Sequence, residues 1–352
     1  MTLPIETPAV LVDLDIARRN VHAFQAYADR HGIRVRPHIK THKLPQMAEL
    51  QLDEGAVGIT CQKVSEAEAM VDGSTWIKDV LITYNILGEA KLARLAKLNE
   101  RVALSVVADN PAVIDGMSAY FANAEKPLAV LVECNTGADR CGVATPEEAA
   151  RLARRISEAS GLRFGGLMTY PPVGGAARVQ SFMGEAKRLI EADGLKVPTI
   201  TSGGTPNMMQ AAEAPIATEY RPGTYIYNDR SLVARGVATW EDCALTVLAT
   251  VVSVPAENRA IIDAGSKVLT SDLLGLTGYG HVLGRDDIRI DQLSEEHGRL
   301  VCDGPIALKV GEQVRIVPNH ACVVTNMVDA VHIIETGAPK AEWPAVARGR
   351  VL

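Results

Sequence analysis

Short apolar runs alternate with amphipathic stretches along the first two thirds of the chain, and that alternation predicts its architecture. Ala9-Val10-Leu11-Val12 reads as a buried strand. Asp13 or Asp15 then caps a helix to about Arg30, with Ile16, Val21, Phe24 and Tyr27 at its apolar positions. A strand ending near Val35 follows, and the pattern repeats. Strands are expected at 57–60, 80–83, 102–107, 128–133, 164–170, 198–202 and 217–220. Helices are expected between them at 44–53, 65–71, 89–98, 111–122, 146–159 and 179–192. Counted from Val35 this makes eight strands separated by helices, the signature of a parallel sheet with crossover helices. Eight units suggest a closed (β/α)8 TIM barrel, with an open doubly wound sheet as the alternative.

From about Thr239 the pattern changes. Residues 244–254, 259–262, 300–302, 313–317 and 330–334 are β-rich runs separated by Pro, Gly, Asn and Asp. The expected organisation is a barrel over residues 10–235 and an all-β domain over residues 236–352. Residues 1–9 are expected to join the second domain.

Composition narrows the function classes. An apolar content of 47% with 22% charged residues suits a globular enzyme with a sizeable core. A net charge of -6, with Lys and Arg scattered, gives no basic face for nucleic acid or anionic membrane. No apolar run approaches the ~20 residues that span a bilayer. Met1–Glu6 lacks the features of a signal peptide, and the six cysteines include no Cys-x-x-Cys pair. Reduced thiols in a cytoplasmic protein are expected.

Three stretches carry candidate chemistry. Arg36-Pro37-His38-Ile39-Lys40-Thr41-His42-Lys43 crowds cations and imidazoles just past a predicted strand. Burial and neighbouring cations there favour a neutral amine on Lys40, as Schiff-base chemistry requires; a solvated basic loop is the alternative. Ser202-Gly203-Gly204-Thr205-Pro206 and Arg221-Pro222-Gly223-Thr224-Tyr225 follow the last two barrel strands. There, bare amides and hydroxyls suit a phosphate, or merely make tight turns. Neither loop fits a nucleoside triphosphate or dinucleotide fingerprint. In the β-rich part, His320 and Cys322 stand at i and i+2 in Pro318-Asn319-His320-Ala321-Cys322. On a strand they would share a face and make an open divalent-metal site; a buried Cys and a satisfied His are the alternative.

These motifs resemble those of the D-threonine aldolase/D-serine dehydratase family of pyridoxal 5'-phosphate enzymes, which share the alanine racemase fold. The resemblance runs from Glu6-Thr7-Pro8 through Arg36–Lys43, residues 61–67 and residues 137–143. It continues through Gly203-Gly204-Thr205-Pro206, Gly223-Thr224-Tyr225, Glu296-His297-Gly298 and residues 318–322. It implies that Lys40 carries the cofactor, that Tyr170 lies beside its pyridine ring and that Arg140 faces the ring nitrogen. It assigns Gly204, Thr205, Gly223 and Thr224, with the adjoining Tyr225, to the phosphate cup. It makes His320 and Cys322 the ligands of a divalent metal (Mn2+, Zn2+ or Mg2+) beside the substrate β-hydroxyl.

The activity implied is a lyase acting on D-β-hydroxy amino acids. D-Threonine aldolase, with low side-chain specificity, is favoured over a D-serine or D-3-hydroxyaspartate dehydratase and over a racemase. Relatives imply a homodimer. Tyr170-Pro171-Pro172 departs from the family, where histidine often follows the tyrosine, and leaves no second base on that loop.

Overall fold

In the computed structural model, residues Leu3–Leu352 are described; the first two residues of the stretch expected to join the β domain lie outside them. The chain divides into two compact units. One holds the residues up to Val21, Thr41–Leu44 and Thr224–Gly349; the other holds His22–Lys40, Pro45–Gly223 and Arg350–Leu352.

Strand β1 (Ala9–Asp13) belongs to the first unit, and helix α1 (Leu14–Arg30) leads on from it. The second unit is built on β2 (Arg34–Val35), β3 (Ile59–Cys61), β4 (Asp79–Ile82), β5 (Ala103–Ala108), β6 (Leu128–Cys134), β7 (Leu162–Thr169), β8 (Ile200–Gly203) and β9 (Glu219–Arg221). All eight pair in parallel, in the order β2-β9-β8-β7-β6-β5-β4-β3. A parallel bridge between His38 and Thr60, with Thr60 N donating to Pro37 O at 2.8 Å, joins the two ends of the order. The sheet thus curls into a barrel, as the eight-fold alternation predicts.

Strands in such a barrel are covered on both faces, so they read as continuous apolar runs, and every residue of Leu128–Cys134 is buried. Leu81, Val107, Leu131 and Met168, from four successive strands, pack into one apolar cluster. The intervening helices are α2 (Pro45–Asp53), α3 (Val64–Gly73), α4 (Glu89–Arg101), α5 (Pro111–Phe121), α6 (Pro146–Glu158) and α7 (Ala176–Ala192). Their starts follow local chemistry. Asn110 caps α5 by accepting from Val113 N, and Thr145 with Glu148 forms a reciprocal capping box ahead of Pro146.

The first unit is a mixed nine-stranded sheet. After α8 (Arg230–Ala234) come β10 (Leu245–Ala256), β11 (Arg259–Ile262), α9 (Ser266–Leu269), β12 (His281–Val282), β13 (Arg289–Leu293), β14 (Gly298–Val301), β15 (Gln313–Val317), α10 (Ala321–Met327), β16 (Ala330–Glu335) and β17 (Ala338–Pro344). β1 enters this sheet between β10, antiparallel, and β16, parallel. Two features depart from the all-β expectation: α9 and α10 are helical. The reason for α10 lies in Asp229, whose Oδ2 accepts from Ala321 N at 3.0 Å and satisfies a donor at that helix's start. Among the described residues no helix is long and apolar enough to cross a membrane, and the six cysteines form no disulfide.

Candidate functional site

Lys40 sits in a single 3-10 turn, Ile39–Thr41. Its neighbours Ile39 and Thr41 are fully buried while Lys40 itself is exposed, so the burial expected of the Lys40 amine is not found; the turn places it at the surface with its flanking residues in the core. His38 fixes the turn from one side. Its backbone N donates to Pro222 O at 2.8 Å, and its Nδ1 accepts from Lys40 N at 3.4 Å. With Nδ1 accepting, Nε2 carries the proton toward Gln62 Oε1 at 3.2 Å, and Gln62 Nε2 donates onward to Thr83 O. Burial, reinforced by the Lys40 and Arg221 charges, holds the His38 pKa well below the ordinary imidazole value, so the ring is neutral.

The two glycine loops meet at the ends of β8 and β9. Gly223 N donates to Thr205 Oγ1 at 3.1 Å, and Tyr220 Oη donates to Gly204 O at 2.8 Å. Gly204 has φ +130°, a conformation that favours glycine, and a Cβ there would lie 3.3 Å from the Tyr170 ring. A Cβ on Gly203 would lie 2.7 Å from Arg221 O. This close backbone with bare amides can accept a phosphate-sized anion. Beneath it Arg221 is buried: its Nη1 donates to Thr201 Oγ1 at 2.6 Å and its Nη2 to Thr169 O at 2.7 Å. Burial lowers its pKa to about 10 against the pull of Glu219 and Glu133, so it remains a cation at neutral pH.

Tyr170, exposed after β7, lies under Arg140, whose guanidinium carbon is 4.8 Å from the ring centroid. Glu133, at the end of β6, is buried. Desolvation raises its pKa to about 7 although Arg140 and Arg221 draw it down. Lys40, Arg140, Tyr170, Gly204, Thr205 and Gly223 all belong to the barrel unit, at or just past strand ends.

Thr224, Tyr225, His320 and Cys322 belong to the other unit. His320 and Cys322 do not lie on a strand, as their spacing suggests. β15 ends at Val317, Pro318 has no amide to continue it, and His320 becomes the N-cap residue of α10. Asn319, whose Nδ2 donates to Gly278 O at 2.8 Å, and Asp229 hold the bend from either side. The bend still brings the two side chains together, since His320 hydrogen-bonds Cys322. Thr41 Oγ1 and Thr224 Oγ1 lie 3.1 and 3.5 Å from Cys322 Sγ. His320 Nδ1 lies 2.7 Å from Asp272 Oδ2. Burial opposes charge on His320, but Cys322, Asp272 and Asp229 outweigh it and raise its pKa to about 9.

An imidazole oriented by a carboxylate and set beside a thiol is a donor set that fits a divalent metal with open positions. Among the described residues His, Cys, Asp and Glu form no group of three or more suited to a metal, so a cation here would keep positions for water or substrate. Tyr227 Oη, buried and sensitive to Cys322, has no hydrogen-bond partner among the described residues, which leaves a donor for a further group.

Sequence reasoning missed Asp272, the His38–Gln62 pair and the inward course of Arg221. Asp272 stands far from His320 along the chain, in a loop without a motif. Arg221 was legible only as part of a Gly-rich loop, because its direction is set by Thr169 and Thr201 on other strands.

Residues 12–231 match the family model described as "Alanine racemase, N-terminal domain", and residues 244–334 match "Putative serine dehydratase domain". The chain is similar to D-threonine aldolase of Arthrobacter sp, 34% identical over 98% of this chain and 93% of that protein. It is 35% identical to 3-hydroxy-D-aspartate aldolase of Paracoccus denitrificans (strain Pd 1222), with the same coverage of both chains. The crystal structure of D-threonine aldolase from Filomicrobium marinum superposes with a TM-score of 0.92 at 34% identity, covering 99% of this chain and 97% of that one.

Proposed function

The chain belongs to the D-threonine aldolase/D-serine dehydratase family of alanine-racemase-like pyridoxal-phosphate enzymes, and from that premise we propose that it cleaves D-threonine and related D-β-hydroxy amino acids to glycine and an aldehyde. The observation that carries this reading is the pairing, in one chain, of a lysine turn among phosphate-ready loops with a carboxylate-oriented His–Cys pair. A racemase needs only the first.

Lys40 anchors the cofactor through its amine, on a turn that His38 and Gln62 keep rigid. The Gly204 amide and the hydroxyls of Thr205 and Thr224 hold its phosphate, the Gly223 amide fixes the Thr205 hydroxyl, Tyr225 adjoins, and the buried Arg221 cation adds a favourable field. Tyr170 packs the ring, and Arg140, a permanent cation, keeps a proton off the ring nitrogen. His320 and Cys322 hold a divalent metal. When bound, the cofactor supplies an electron sink for charge at Cα and the metal lowers the pKa of the β-hydroxyl. With both groups in place, the β-hydroxyl proton would pass to solvent, the Cα–Cβ electron pair would stay with Cα as the aldehyde carbonyl forms and departs, and a proton from solvent would return to Cα to give glycine.

The His320-x-Cys322 pair also accommodates a dehydratase, in which Lys40 takes the Cα proton and hydroxide leaves, giving a 2-oxo acid and ammonia. Incubation with D-threonine and D-serine, assaying glycine, acetaldehyde, 2-oxo acids and ammonia, separates the two. The aldolase reading expects glycine and acetaldehyde in equal amounts from D-threonine. 2-Oxo acid with ammonia as the dominant products would refute it.

A further inference from the structure

An imidazole offers a metal one lone pair, and which nitrogen bears it depends on where the ring proton is held. In this chain Nδ1 of His320 lies 2.7 Å from Asp272 Oδ2. A carboxylate there accepts the Nδ1 proton and leaves the Nε2 lone pair available to a cation.

Asp272 is itself held in place. Its backbone N donates to Thr270 Oγ1 and its Oδ1 accepts from Leu274 N, both at 3.3 Å. Thr270 and Leu274, on either side, have φ of +64° and +47°. Non-glycine residues adopt that region at a conformational cost, and β-branched Thr270 pays more than most. A loop that keeps two such residues beside one carboxylate is fixing the direction of that carboxylate. The carboxylate is not a third member of a metal cluster, since no such group of three occurs among the described residues. Its partner is the ring nitrogen.

We propose that Asp272 is a positioning residue for the divalent cation of His320 and Cys322, fixing the His320 ring as the Nδ1–H tautomer so that Nε2 faces the metal. This inference rests on the metal reading above and adds a residue to it. Asp272 acts through its contact with the His320 ring.

The test uses the full-length holoenzyme with Mn2+ and Zn2+ as probes. Dissociation constants are measured by competition with a chromophoric chelator for wild type, Asp272→Ala, Asp272→Glu and His320→Ala. Asp272→Ala is expected to weaken metal binding by about 10- to 100-fold, with cofactor absorbance unchanged and partial recovery in Asp272→Glu. Imidazole 15N shifts of His320 in Zn2+-loaded samples should report Nδ1–H with Nε2 on the metal in wild type and a mixture of the two ring nitrogens on the metal in Asp272→Ala, which a merely structural role would not produce. Tight binding to wild type with an unchanged constant in Asp272→Ala overturns this proposal alone. A wild type that binds no better than His320→Ala overturns the metal reading, and the proposal with it.

Discussion

Arg36 Nε lies 3.0 Å from Glu219 Oε2, and Nη1 of the same guanidinium reaches Asp79 Oδ1 at 2.7 Å. Glu219 is on β9 and Asp79 opens β4, so one side chain ties strands on both sides of the seam where the barrel closes. Gly58 makes room for it, since a Cβ there would lie 2.5 Å from Arg36 Nη1. Arg36 and Glu219 are both buried, and removing one partner leaves the other charged and uncompensated. Arg36→Met should therefore lower the unfolding free energy by roughly 3–5 kcal/mol, read as a shifted urea midpoint. Adding Glu219→Leu should recover part of that loss. A single variant within about 0.5 kcal/mol of wild type would show that the pair does not secure the seam.

The eight strands were legible because each is a short buried run between amphipathic helices; their number suggested closure but left an open sheet possible, and the His38–Thr60 bridge decides it. The direction of individual polar groups was not legible. Arg221 turns inward because Thr169 and Thr201 offer acceptors there, and neither is near it in sequence. His320 and Cys322 come together in space, but on a backbone other than the expected strand. Spacing at i and i+2 suits a strand, whereas Pro318 and the Asp229 cap turn this stretch into the start of a helix.

Glu133 gives a pH dependence with a definite sign. Its pKa rises from 4.5 to about 7, chiefly through desolvation, so between those values the folded chain binds more protons than the unfolded one. Stability falls as pH rises from about 4.5 to about 7 and is flat in this respect above it. The contribution is at most about 3.5 kcal/mol, since one pKa unit is about 1.4 kcal/mol. Glu133→Gln should remove this component: its Tm relative to wild type should increase from pH 5 to pH 8. A difference independent of pH would place Glu133 ionisation outside the folding equilibrium.

Chelation tests the division of labour between the two groups of residues. Lys40, Gly204, Thr205 and Gly223 belong to one compact unit, and the His–Cys pair, with Thr224 and Tyr225, to the other. Exhaustive dialysis against a chelator should abolish turnover of D-threonine while cofactor absorbance persists, and Mn2+ should restore it. Full activity in a demetallated sample would remove the metal from the reaction.

Two lysines three residues apart compete for the cofactor, and their surroundings separate them. Lys43 is buried, has φ +57° and donates from Nζ to Ala347 O at 3.2 Å, so its amine is already engaged. Lys40 is exposed, and an amine that must attack a carbonyl has to be accessible to it. Borohydride reduction of the holoenzyme followed by peptide mass analysis should place the pyridoxyl group on Lys40. Lys40→Ala should lose both the label and the long-wavelength absorbance of the bound cofactor, and Lys43→Ala should retain both. Label on Lys43, or an unaltered spectrum in Lys40→Ala, would reverse the assignment.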